Sequence, residues 1–112
     1  MSHTCHAHDC SRSVPPRMLM CRKHWGALPK SVQKAIWREY TPGQETTKRP
    51  NARYMAVQRY AVGLTTHNPN DEAAALKAAR GYVAEAAVWR ERALKQGLGD
   101  PLAEFLQESV SP

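Results

Sequence analysis

No run of this chain approaches the roughly 18–20 consecutive apolar residues that a membrane-spanning helix requires, so no membrane segment is expected. The opening Met1-Ser2-His3-Thr4-Cys5-His6 lacks the apolar stretch of a secretory signal, which points to a cytoplasmic protein. Also missing are a Gly-rich phosphate loop, an H-E-x-x-H helix, a G-x-S-x-G elbow and any paired-carboxylate arrangement. No catalytic residue is assigned, and the expectation is a protein that is not an enzyme. No internal repeat is visible, and only one Ala-rich stretch is low in complexity. Large apolar side chains are in modest supply, because 16 of the hydrophobic residues are alanine. A core that thin for 112 residues gains from a metal staple.

Acidic residues are scarce in one half. Residues 1–60 hold eleven Lys and Arg against Asp9, Glu39 and Glu45, a balance of +8. Residues 61–112 hold five against seven Asp and Glu, a balance of −2. Such asymmetry favours a polyanionic or acidic partner for the N-terminal half, with plain solubility as the bland alternative.

The staple is written in the first 24 residues. Cys5, Cys10, Cys21 and His24 fall as C-x4-C, a ten-residue gap, then C-x2-H. Three thiols and an imidazole at that spacing are the donor inventory of a tetrahedral Zn(II) site. An odd number of cysteines without an export signal argues for reduced thiols and metal binding rather than disulfides. Arg22 and Lys23, between the last two ligands, would ease the burial of thiolate charge. His3, His6 and His8 lie close by, and any one of them could replace His24 as the fourth ligand. With four protein ligands no coordination position stays open for substrate, so the zinc is read as structural. Asp9 and His8 beside the cluster give only a thin case for a hydrolase.

The rest reads as helix. Leu28, Val32, Ala35, Ile36 and Tyr40 recur at helical spacing over about residues 29–40, with Pro29 at the first helical position and Pro42-Gly43 as the stop. Lys30, Lys34 and Arg38 form a basic stripe on the same helix, and Trp37 lies beside it. Residues 41–50 read as a loop. A second helix, about 51–64, starts from Asn51 as cap and presents Tyr54, Val57, Ala61 and Leu64. A third, about 71–96, is capped by Asn70 or Asp71 and stopped by Gly97, and would be about 39 Å long. Its apolar side carries Ala75, Ala79, Tyr82, Val83, Ala86, Trp89 and Ala93. A short fourth helix covers about 101–108. The expected fold is mostly α, one domain, in which a zinc knuckle of irregular or short β structure (1–28) packs on a three- to four-helix bundle (29–112).

The run Cys5-x4-Cys10, Val14-Pro15-Pro16-Arg17-Met18-Leu19-Met20-Cys21-x2-His24-Trp25, followed by Leu28-Pro29, Ile36-Trp37 and Tyr40-x-Pro42-Gly43-Gln44, resembles a family of small cysteine-rich phage and prophage proteins of no established activity. The resemblance covers residues 3–62. It implies a phage origin, the Cys5, Cys10, Cys21, His24 ligand set and, by analogy with small phage accessory proteins, the binding of host transcription or defence machinery in the host cytosol. The expected function is therefore non-enzymatic engagement of a host protein or nucleoprotein complex, with Lys30, Lys34, Arg38, Trp37, Arg22 and Lys23 as contact residues. Direct DNA or RNA binding is one alternative. A self-associating structural protein, a homodimer through the Ala-rich helix, is the other.

Overall fold

The computed structural model describes residues 3–15, 18–40 and 51–106. The loop expected at 41–50 with its Pro42-Gly43 stop, the Pro16-Arg17 step and the end of the fourth helix lie outside them. The described chain is mostly helical, with one small sheet at the front. Two-residue strands β1 (His3–Thr4) and β2 (Ser13–Val14) pair antiparallel, His3 opposite Val14 and Thr4 opposite Ser13. Helices follow in the order α1 (Arg22–Ala27), α2 (Lys30–Glu39), α3 (Ala52–Thr65), α4 (Glu72–Lys95) and α5 (Ala103–Leu106).

Local chemistry sets the helix ends. The Asn51 side chain accepts a hydrogen bond from the Tyr54 N–H at 2.8 Å, and Asp71 accepts one from the Ala74 N–H at 3.0 Å, satisfying donors that the first helical turn leaves unpaired. Glu72 in the first turn of α4, and Arg92 and Lys95 in its last, match the helix dipole. Gly97 then takes φ of 75°, a conformation glycine adopts without Cβ strain, and the chain leaves the helix. Arg22–Ala27 is a separate short helix that carries His24 and follows directly on Cys21. Leu19-Met20 forms a bend packed into the core.

α3 is the central element. Ala56, Val57, Ala61 and Val62 are fully buried on it, and Tyr54, Gln58, Gly63 and Thr65 are buried as well. α4 runs antiparallel along α3: Gly63 faces Ala79, Tyr82 and Val83, Arg59 reaches Glu85, and Arg53 reaches the Leu98 carbonyl. Small residues make the approach close, since Ala75, Ala86 and Ala93 are the buried positions of α4. α2 packs on another side of α3 through Val32, Ala35 and Ile36. The front end joins the same core with Cys5, Ala7, Val14, Leu19, Met20 and Leu28.

Two apolar positions expected inside are outside. Leu64 is 48 % exposed and Val83 is 50 % exposed. The buried line of α3 turns through Val62 and Thr65 rather than Leu64, and α4 presents Ala75, Ala86 and Ala93, so Val83 stands at the margin of that contact.

Candidate metal centre

The four residues singled out by spacing come together in space. One donor atom each from Cys5, Cys10, Cys21 and His24 lies within 4.8 Å of every other. Cys5 Sγ is 3.7 Å from His24 Nδ1, Cys21 Sγ is 3.2 Å from the same nitrogen, and Cys10 Sγ is 4.0 Å from Cys21 Sγ. A tetrahedral ion with metal–sulfur bonds of about 2.3 Å requires donor-to-donor edges of about 3.8 Å, so the cluster has the right size. The thiols are free rather than bridged. Three soft sulfur donors and one imidazole, two of the sulfurs buried, fit a metal ion.

Each candidate ligand is placed by a separate local device. Cys5 follows β1, and its N–H donates to the Arg12 carbonyl at 2.8 Å, extending the hairpin. The C-x4-C spacing closes through a tight turn in which the Cys10 N–H donates to the Ala7 carbonyl at 3.2 Å. Asp9 takes φ of 58° in that turn, a left-handed conformation that Asp tolerates better than most residues. Cys21 sits at the N-terminal boundary of α1, and the Trp25 N–H donates to its carbonyl at 2.9 Å. His24, three residues on, therefore lies above Cys21 on the same helical turn. The His6 N–H donates to the Leu19 carbonyl at 3.0 Å, which holds the two ligand-bearing segments side by side.

The electrostatics suit metal-binding thiolates. The Cys21 N–H donates to Cys5 Sγ at 3.2 Å. Burial pushes the Cys21 thiol up, but hydrogen bonds from the His24 backbone and ring, and then from Cys5 and Cys10, outweigh it and bring the pKa down to about 6. Burial raises Cys5, which is the more enclosed thiol. The other front-end histidines stand apart from the group. His3 Nδ1 bonds the Thr4 carbonyl oxygen at 2.9 Å, and burial lowers the His6 pKa. His8 pairs with the Tyr82 hydroxyl at 2.9 Å and with Asp9 at 3.3 Å, tying the turn to α4. That long-range contact has no signal in the sequence.

The basic residues divide into two sets. Arg38 is ion-paired with Glu39 at 3.1 Å and Glu104 at 2.8 Å, and Arg53, Arg59 and Arg90 are each paired too. Arg12, Arg22, Lys23, Lys30 and Lys34 are exposed and make no ion pair or hydrogen bond among the described residues. Trp37 is 45 % exposed and edge-on to both Trp25, at 6.2 Å between ring centroids, and Tyr40, at 5.6 Å. Trp25 is half-buried against the core. No helix among the described residues is long and apolar enough to cross a membrane.

Comparison with known protein families, with curated proteins and with solved structures gives no match.

Proposed function

We propose that this protein is a non-enzymatic binding module in which a structural zinc ion, held by Cys5, Cys10, Cys21 and His24, fixes the front end on the helices so that its basic face can engage an acidic macromolecular partner. The phage-type motif makes that partner a host protein or nucleoprotein complex of the transcription or defence machinery, met in the host cytoplasm. Zinc is favoured over other ions by the three thiolates and single imidazole at tetrahedral separations. Four protein donors leave no position for substrate, which supports a structural role.

The observation that carries the reading is the set of uncompensated cations. Between residues 3 and 40 the acidic side chains described are Asp9 and Glu39, and Glu39 is already engaged by Arg38 and Arg53. Among the described residues no acidic side chain pairs with Arg22, Lys23, Lys30 or Lys34, so these four present positive charge. Unpaired charge of one sign speeds and steers the encounter with a partner of the other.

The test is affinity capture from the host with mass spectrometry, run on the wild type and on the Lys30→Glu/Lys34→Glu variant, with metal analysis of both. A defined partner that the variant loses while keeping its metal supports the reading. Identical captures, or no stoichiometric metal in the wild type, defeat it.

A second reading is favoured by one observation. Leu76, Val83 and Leu94 recur at seven and eleven residues on α4 and are 53 %, 50 % and 47 % exposed. They make a self-associating structural protein the alternative. Mass by light scattering that rises with concentration, and falls back on Val83→Lys, would support it; a strict monomer removes it.

A further inference from the structure

Resting on the reading that the basic front end is the contact surface, we infer that the α1–α2 surface binds single-stranded nucleic acid, with phosphates on Arg22, Lys23, Lys30 and Lys34 and a base stacked on Trp37. Lys30, Lys34 and Trp37 stand at i, i+4 and i+7 of α2, within about 60° of one another around the helix. They cover about 10 Å of its length. Arg22 and Lys23 add two exposed cations on α1. The α1–α2 corner is rigid: Gln33 Nε2 donates to the Trp25 carbonyl at 2.7 Å and to the Leu28 carbonyl at 3.4 Å.

Trp37 decides the class of ligand. An acidic protein surface is matched by the four cations alone, and would need an apolar pocket beside its acidic patch to take Trp37 as well. A nucleotide strand uses both, since its phosphates match the cations and its bases stack on an aromatic face. The edge contacts with Trp25 and Tyr40 fix the orientation of the Trp37 ring before any ligand arrives, which lowers the ordering cost of binding.

The strand is single, and α2 itself has no free side chain with which to read its sequence. In a duplex the base faces are covered by their neighbours, so a protruding tryptophan finds nothing to stack on. Reading base edges takes Arg, Asn or Gln in bidentate geometry. Of the bidentate side chains on α2, Arg38 is held by Glu39 and Glu104, and Gln33 is used on the Trp25 and Leu28 carbonyls. The cations left on the stripe are lysines, which act as point charges on phosphate.

The experiment uses the full chain as purified with its metal, a fluorescently labelled thymidine 20-mer, and the corresponding duplex, titrated across salt. The expected result is binding to the single strand in preference to the duplex, with log K falling against log salt at a slope of about −3 for four phosphate contacts. Lys30→Ala/Lys34→Ala should bring the slope to about −1.5. Trp37→Ala should weaken binding roughly five- to 150-fold with the slope unchanged, and Trp37→Phe should recover part of that loss. Lys77→Ala, on exposed α4, should change nothing. No binding to the 20-mer at low salt, tighter binding to the duplex, or a Trp37→Ala variant that binds like wild type would each overturn the inference. If the 20-mer fails while host capture still depends on Lys30 and Lys34, the broader binding function stands and the nucleic-acid ligand alone falls.

Discussion

Arg53 grips Glu39 with two parallel hydrogen bonds, Nε to Oε1 at 2.9 Å and Nη2 to Oε2 at 2.6 Å. Its remaining Nη1 donates to the Leu98 carbonyl at 2.8 Å. One guanidinium therefore joins α2, α3 and the segment that follows α4. Arg38 adds a second cation to Glu39 and reaches Glu104. Arg90 holds Asp100 in the same two-pronged manner, at 2.9 and 2.7 Å, and Asp100 also accepts the Leu102 N–H. The network seats buried Pro101 and Leu102 on the core, and it removes Arg38 and Arg53 from the free positive surface.

Removing Arg53 should be costly. Glu39 is 9 % exposed, so Arg53→Ala strands a buried carboxylate with only its neighbour Arg38 to balance it. Discounted for the partial exposure of Arg53, the expected loss is about 2–3 kcal/mol in chemical denaturation, against about 0.5 kcal/mol or less for exposed, unpaired Lys34→Ala.

Acid should weaken the same network. The Arg53 hydrogen bond holds the Glu39 carboxyl below its ordinary 4.5 despite burial, and Arg90 holds Asp100 below 3.8. A carboxylate whose folded pKa is depressed contributes stability that is whole above the unfolded value and is lost as the pH falls through the folded one. Denaturation midpoints should therefore fall from pH 4.5 downward, in addition to any loss from protonated metal ligands. Arg53→Ala should show a shallower acid limb than wild type, because it has already lost the Glu39 share.

Metal removal should loosen the front end first. Cys10→Ser deletes one of four donors, so bound metal should fall well short of the about one ion per chain expected of a closed site. Amide exchange should speed up across residues 3–15 and 18–28, whose backbone is otherwise held by a two-residue hairpin, a few turns and the six-residue α1. The amides of α3 and α4, which pack on each other through Gly63 and Ala79, should stay the best protected.

Two glycines should respond in opposite directions. A Cβ at Gly81, mid-helix on α4, meets nothing within 4 Å, so Gly81→Ala should stabilise by about 0.5–1 kcal/mol. A Cβ at Gly63 would already lie 3.4 Å from the Ala79 carbonyl oxygen and 3.5 Å from Tyr82 and Val83. Gly63→Val should push α3 and α4 apart and cost about 1–3 kcal/mol, read as a lower thermal midpoint.

Much of this architecture is decided locally, and the amino-acid order alone carries it. Asn51 and Asp71 start helices because their side chains satisfy amides three residues away. Gly97 stops one because the chain needs φ of 75° there. The Cys5, Cys10, Cys21, His24 cluster is legible for the same reason, since C-x4-C and C-x2-H each close over a single turn. What depends on distant neighbours is not written that way. The strands His3–Thr4 and Ser13–Val14 are too short to show an alternating pattern, and they form only where two segments ten residues apart pair, which carries Cys5 to the cluster. Leu64 and Val83 fit a helical core line, yet they are exposed because the partner helix meets an adjacent face. Arg38 and Lys34 look equivalent along the stripe. Only the packing of α3 and the segment after α4 brings Glu39, Arg53 and Glu104 together at Arg38 and leaves Lys34 in water, because an ion pair needs two elements to converge and periodicity describes one element at a time.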